Sequence, residues 1–185
     1  MRTGEELLAI GDRIVALAKP GEQVEVVVGR STGTEVRVYE GEVEQLATAT
    51  SAGIGVRVIS DHRQGFAYAG SLDDDVLADT LAEARDNATF GTPDEWLGLA
   101  EPDSVAIPEL DLYREELVKV ATEAKIDLAV ELERAVRAHD ARITGVEAAD
   151  YADGVSEGAV VSTTGIRAYG RDTSCYVSTY CVAQD

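Results

Sequence analysis

Residues 51–72 read SAGIGVRVISDHRQGFAYAGSL, and the fold is decided there. Ile54, Val56 and Val58 alternate with Gly55 and Arg57, the period of a strand with one apolar face. The polar stretch SDHRQ then leads into a second strand, GFAYA, over residues 65–69. Strands joined so briefly pair antiparallel, because a parallel crossover needs a dozen or more residues. Arg57 falls on the face opposite Ile54, Val56 and Val58. It either points to solvent in an ordinary surface pair or anchors a carboxylate on the following acidic helix or a neighbouring subunit. Gly65 is expected at φ > 0, closing its turn where a side chain would clash.

The same grammar extends upstream. Val24, Val26 and Val28 share one face of a strand over residues 23–28, and GRSTGT is read as a turn-rich link to a strand over 35–39. In that strand Val36 and Val38 point one way, Arg37 and Tyr39 the other. Glu40-Gly41 reads as a tight turn into residues 42–50. At the start, Leu7, Ile10, Ile14 and Leu17 mark an amphipathic helix over about residues 4–18. Thr3 and Glu6 have capping-box spacing, and Pro20-Gly21 stops the helix.

Downstream, a helix is expected over about residues 73–87, with Ser71 as its cap and Leu77, Leu81 and Ala84 as its buried stripe. Between Ser71 and Asp103 stand ten acids and one arginine. Gly91, Pro93, Pro102 and Pro108 mark residues 91–110 as a linker. The longest helix is placed at 114–139, where Leu117, Ala121, Ala124, Leu128 and Ala135 recur, with Glu115–Lys119 and Glu133–Arg137 as i, i+4 pairs. Strands return at 142–151, 156–163, 166–170 and 173–183, with Thr164-Gly165 as a turn. The fold class is therefore α+β, with mostly antiparallel sheets packed against three main helices. Residues 1–104 are expected to form a first domain and 105–185 a second, which is expected to continue into a C-terminal domain outside this chain. The expected core holds Leu7, Ile14, Val26, Val56, Val58, Phe66, Leu77, Leu81, Leu117, Leu128 and Ile143.

Across 185 residues, 16 Lys+Arg stand against 35 Asp+Glu, a net charge of −19. So acidic a surface disfavours nucleic-acid phosphates and anionic lipid alike. No apolar run approaches the ~18 residues of a membrane span, and a cytoplasmic location is expected. Cys175 and Cys181 lie six residues apart on one strand. At ~3.3 Å per residue they are too distant for a disulfide, and they read as small residues on a packed strand face. His62 in a polar turn and His139 at a helix end complete the soft ligands, and their spacing brings no three together. Gly53-Ile-Gly55 begins like a dinucleotide loop, but Val58 stands at the third glycine position and a strand follows. No catalytic or metal residue is assigned in this chain. The strand edge around Tyr176–Val182 is expected to be sticky, to be covered by a C-terminal half outside this chain or by a partner.

Taken together, the chain resembles the TldD/PmbA metallopeptidase family, also called the modulator of DNA gyrase family. The resemblance rests on the order G-x-G-V-R-V, turn, G-F-A, helix, at Gly53, Gly55, Val56, Arg57, Val58, Gly65, Phe66 and Ala67. The segments RVYEGEVEQLATATS and DARITGVEAADY through TSCYVSTYCVAQD are similar to the stretches flanking that motif. YEGEVEQ, PELDLY and TSCYVSTYCVA look closer to the TldE/PmbA type. The resemblance implies the N-terminal part of one subunit in a two-subunit zinc peptidase that cleaves unfolded peptides. It also implies a TldD-type partner carrying an H-E-x-x-x-H helix and a cysteine that hold the metal. Those ligands have no counterpart in this sequence, so this part would be structural and substrate-guiding, with no direct DNA contact. The alternative is a free-standing module that captures extended peptides by adding a strand to an open edge.

Overall fold

The structure, a computed structural model, describes residues 4–105, 108 and 110–184. The expected Thr3 cap lies outside the described residues. Helices α1 (Gly4–Val15), α2 (Asp74–Phe90), α3 (Glu115–Val118) and α4 (Thr122–His139) accompany strands β1 (Gln23–Tyr39), β2 (Glu42–Ser60), β3 (Arg63–Ala69), β4 (Ile143–Ser162) and β5 (Arg167–Ala183). The strands hydrogen-bond antiparallel in the order β3-β2-β1-β4-β5, so the protein is α+β. The chain forms two compact units, each gathered from three stretches of sequence. One holds the chain up to Arg30, Ser51–Asp111 and Glu157–Arg171; the other holds Ser31–Thr50, Leu112–Ser156 and the chain from Asp172.

In the first unit, Val24, Val26, Val28, Ile54, Val56, Val58, Ala67, Ala159 and Val161 make the apolar face of the strands. Leu7, Leu8, Ile10 and Ile14 of α1 and Leu77, Leu81 and Ala84 of α2 cover it. The sharpest fit is at Gly65. A Cβ there would fall inside the van der Waals radii of the Ala84 carbonyl oxygen and the Ala88 amide nitrogen, so α2 lies backbone to backbone on β3. Gly65 is therefore required for close approach, and not for a left-handed turn: its φ is not positive. The positive φ values sit one step earlier, at Asp61 (50°) and His62 (60°), which form the two-residue turn between the paired residues Ser60 and Arg63. Such a tight hairpin turn needs φ > 0 at both central residues, and Asp and His tolerate it better than most. Because Gly65 and Ala67 take the covered face, Phe66 points the other way and is 56% exposed, which removes it from the expected core.

The second unit has a thinner core. Val36 and Val38 of β1 and Ala149 and Tyr151 of β4 are covered by Ala129 of α4, with Ile126, Val130 and Leu132 beside it. Only the two central strands are covered. Residues 42–50 of β2 are exposed apart from Ala47, and residues 174–183 of β5 apart from Thr179.

Several boundaries differ from expectation for local reasons. GRSTGT makes no turn, since residues 29–34 stay extended inside β1. There Gly33 runs close to the Asp153 carbonyl of β4, and a Cβ would come to 3.3 Å from that oxygen. The expected strand breaks near 51–53 and 152–155 are likewise absent. The long helix is broken between Val118 and Thr122, where the β-branched Val118 and Val120 sit exposed and α3 buries nothing. Leu117 and Ile143 are half-buried and Leu128 is exposed, so none joins the core. The buried stripe of α4 runs instead through Lys125, Ala129 and Glu133. Leu17 lies past the end of α1 and is exposed. Ser71 does not cap α2. Asp73 takes the N-cap position, and the Ser71 hydroxyl accepts the Asp73 amide at 3.1 Å.

Gly65→Ala is expected to destabilise the protein by about 3 kcal/mol, since the atoms it would strike are helix backbone that cannot swing aside. Gly70→Ala, at a position with open space around it, should stay within about 0.5 kcal/mol. Paired denaturant melts of the two variants test the close approach.

Candidate functional site

The residues that carry the sequence motif divide between the two faces of the β2–β3 hairpin. Gly65 faces α2. Gly53, Gly55 and Arg57 alternate with the buried Ile54, Val56 and Val58, and so line the face turned away from the helices. Phe66 pairs in register with Arg57 and swings its ring diagonally over Gly55. A Cβ on Gly55 would meet that ring at 3.2 Å, so glycine leaves the aromatic room to lie down. Tyr68 follows, its ring centroid 6.4 Å from that of Phe66. The Asn87 side-chain amide donates to the Phe66 carbonyl at 3.0 Å and holds this strand from the helix side.

Within this chain Arg57 pairs with a carboxylate of the adjacent strand. Its Nη2 donates to Glu25 Oε1 on the adjacent strand at 2.7 Å. The hairpin thus presents a shelf of two exposed aromatic rings beside a half-buried ion pair. Such a shelf can support an apolar or backbone neighbour; it holds no group placed for acid–base or nucleophilic chemistry.

The remaining candidates stay apart. His62 occupies the strained turn, where its carbonyl accepts the Asp94 amide at 2.8 Å. His139 ends α4. Cys175 and Cys181 are free and exposed, which corrects the expectation of a packed face: β5 lies at the edge of the strand order. Among the described residues no three His, Cys, Asp or Glu side chains cluster as a metal site, and no helix is long and apolar enough to cross a membrane.

The second unit holds two buried ionic clusters that the sequence did not announce. Lys125 Nζ meets Asp153 Oδ2 at 2.6 Å, with both side chains only 9% exposed. The Tyr151 hydroxyl donates to that same oxygen at 2.7 Å. Burial first, then the Asp153 bond and the neighbouring Cys175, push the Tyr151 phenol far above its usual range, so it remains a neutral donor. Glu133, 2% exposed, accepts the backbone amides of Glu40 and Gly41 at 3.0 and 2.7 Å and the Arg137 guanidinium at 2.7 Å. Glu40 and Gly41 both have positive φ, so their amides converge on one carboxylate, which clamps the β1–β2 turn to α4. Burial raises the Glu133 pKa; the Arg137 bond, the two amides and the Arg137 charge outweigh it and hold it below the ordinary value. The i, i+4 spacing of Glu133 and Arg137 was legible in the sequence. The grip on the turn was not, because it joins residues some ninety positions apart.

Comparison with known proteins places this frame. The description PmbA/TldA metallopeptidase domain 1 matches residues 24–88, and PmbA/TldA metallopeptidase central domain matches residues 115–185. The chain is 29% identical to Metalloprotease PmbA of Escherichia coli O157:H7 over 77% of its length and 32% of that protein's. It is 26% identical to a Metalloprotease PmbA homolog of Haemophilus influenzae, covering 88% of this chain and 34% of the relative. Among solved structures it superposes on TldE from Thermococcus kodakarensis with a TM-score of 0.77, at 22% identity, over 98% of this chain and 39% of that one. A candidate modulator of DNA gyrase from Bacteroides thetaiotaomicron gives 0.85 at 20% identity, over 100% and 42%. The chain thus spans about a third of the curated relatives it matches.

Two substitutions test the ionic clusters. Lys125→Met should cost about 3–5 kcal/mol, because it strands the Asp153 carboxylate in a buried site. Glu133→Gln should cost about 2–3 kcal/mol at neutral pH. The depressed Glu133 pKa means its contribution is fully present above the ordinary value near 4.5 and is lost as pH falls through the folded value. Stability curves of parent and Glu133→Gln should therefore converge on acidification, which urea melts across pH would show.

Proposed function

The chain belongs to the PmbA/TldD metallopeptidase family, and on that premise we propose that it serves proteolysis of unfolded peptides as the N-terminal part of a subunit of the TldE/PmbA type. In this reading the chain shapes and guides, and hydrolysis takes place on zinc held by a TldD-type partner in the cytoplasm. The observation that carries the reading is the succession of two matches, domain 1 and then central domain, along one chain. The Phe66–Tyr68 shelf fits a guiding role, since aromatic rings hold apolar segments without demanding a sequence. Direct DNA contact is no part of the proposal, because a net charge of −19 repels the phosphate backbone.

A second reading, strand addition by a free-standing module, draws support from β2. Its residues 54–60 pair with β3, whereas 42–53 have β1 on one side and no described strand on the other. An extended peptide can hydrogen-bond along such an edge.

The test uses the protein with and without a TldD-type metal-bearing subunit, an unfolded fluorogenic peptide, and zinc followed by calorimetry. Cleavage that needs both proteins and stops on chelation is expected. Metal-dependent cleavage by this chain alone, or sub-micromolar zinc binding to it, would overturn the subunit reading. Peptide binding without the partner and without cleavage in its presence would favour the module.

A further inference from the structure

We propose that the outer edge of β5 is a two-fold self-pairing surface, which takes the same strand of a second copy of this chain in antiparallel register about Ser178. This goes beyond the peptidase reading and does not rest on it. Residues 175–181 read CYVSTYC, nearly the same from either end. Cys175 answers Cys181, Tyr176 answers Tyr180, and the β-branched Val177 answers Thr179 around the central Ser178. A two-fold axis through Ser178 sets each of these opposite its counterpart, which is what an isologous interface requires. Cross-strand aromatic and β-branched pairs are also the pairs that stabilise a ladder.

The backbone directions agree. The Thr173 amide donates to the Leu112 carbonyl at 3.0 Å, away from β4, whereas Gln184 donates to Arg142, the residue preceding β4, at 2.8 Å. The Val182 carbonyl likewise accepts the Thr144 hydroxyl of β4. Even-numbered residues therefore face β4 and odd-numbered ones face outward. Cys175, Val177, Thr179 and Cys181 offer outward amides and carbonyls, and among the described residues no strand lies beyond them. In the two-fold register these four residues form the hydrogen-bonded pairs.

Charge favours a second copy as occupant over other partners. Residues 173–183 carry no charge at all in a chain of −19, so two copies meet here without like charges in contact. Edge strands that stay single usually carry a charged guard. One ribbon is small beside the ~1,200 Å² of a stable interface, so the pair should be weak while its thiols are reduced. Cys175 and Cys181 of the second copy would oppose each other at a Cα separation of ~5.5 Å, inside the ~4.4–6.8 Å of a disulfide. A local shift of the strands would close the Cβ atoms from the ~5.5 Å of a hydrogen-bonded pair to the ~4.5 Å the link needs.

Diamide, an azo oxidant, tests this on the whole chain. Two thiols lose two hydrogens to its N=N bond and form one disulfide. The parent should give a dimer carrying Cys175–Cys181 links between copies, seen by non-reducing electrophoresis and peptide mass mapping. C175S or C181S alone should stay monomeric, because like cysteines lie ~20 Å apart in this register. Mixing the two variants should restore a singly linked dimer. S178E sets two carboxylates against each other on the axis, and it should slow the parent's cross-linking at least tenfold with the circular dichroism unchanged. Links between like cysteines, or single variants that cross-link as fast as the parent, would overturn the register. Thiols that react with a maleimide yet give no dimer, or that are closed to it because another segment or a peptide covers the edge, would overturn the pairing.

Discussion

The first unit depends on one contact, backbone against backbone, where α2 rests on Gly65 of β3. A helix normally stands off a sheet by the thickness of its side chains. Here the strand offers no side chain at the crossing, and the Ala84 carbonyl and Ala88 amide come down onto it. The rest follows from that approach. Ala84 and Ala88 are buried at the crossing, while Leu77 and Leu81, a turn or two earlier, join the core. Gly91 repeats the arrangement at the helix end: a Cβ there would meet the Gln64 carbonyl at 2.7 Å, and the Arg63 guanidinium donates to the Gly91 carbonyl. With the covered face of β3 taken by glycine and alanine, its large side chains have only the other face to occupy. The exposed Phe66 and Tyr68 are thus a consequence of how closely the helix sits. A change that lifts α2 off the hairpin would release them from their place beside Gly55.

What was legible in the sequence followed from periodicity. The alternation of valines at 24, 26, 28, 36, 38, 56 and 58 places seven fully buried residues on strands, because a period of two leaves one face for the core. The recurrence of Leu77, Leu81 and Ala84 did the same for α2. Resemblance added the family, which no single residue carries chemically. Strand length was misjudged because Gly, Ser and Thr are turn residues by composition. GRSTGT lies inside β1, between β2 and β4 in the sheet, and a paired backbone has no reason to turn. Phe66 shows that apolar character is not burial: paired with Arg57, it lies on the outward face. The cysteines lie exposed because β5 ends the strand order, so the same alternation that gives a strand gives no packed face.

The second unit is organised by charge more than by apolar area. A narrow stripe of α4 buries Lys125, Ala129 and Glu133, so two of the three positions that a hydrophobic pattern would fill are ionic. Each has found fixed partners: a carboxylate shared with a phenol for Lys125, and an arginine with two turn amides for Glu133. Buried ions tolerate little displacement, because leaving either partner alone costs several kcal/mol. A small core with two such clusters therefore fixes where the helix lies along the strands, which leucines alone would leave free to slide. The buried stripe of α4 carries one apolar residue between two ionic ones, so a pattern drawn through its leucines, Leu128 among them, follows a different face.

Charge is also what separates the two outer strands of that unit. The β1–β2 turn is crowded with Glu40, Glu42 and Glu44, acids at the tip of an exposed edge. Such residues keep that edge from pairing with another copy of so acidic a chain, since like charges would meet there. On β5 the run from Thr173 to Ala183 has no equivalent guard, while Tyr176 and Tyr180 stand 59% and 65% exposed. In a protein with more than twice as many acids as bases, eleven successive uncharged residues on an edge are a departure from the composition around them. The cost of an unguarded edge is aggregation, and it is tolerable only where a definite partner sits. A sequence symmetric about its own centre supplies one without any second protein. Each copy is then protected by the feature that exposes it.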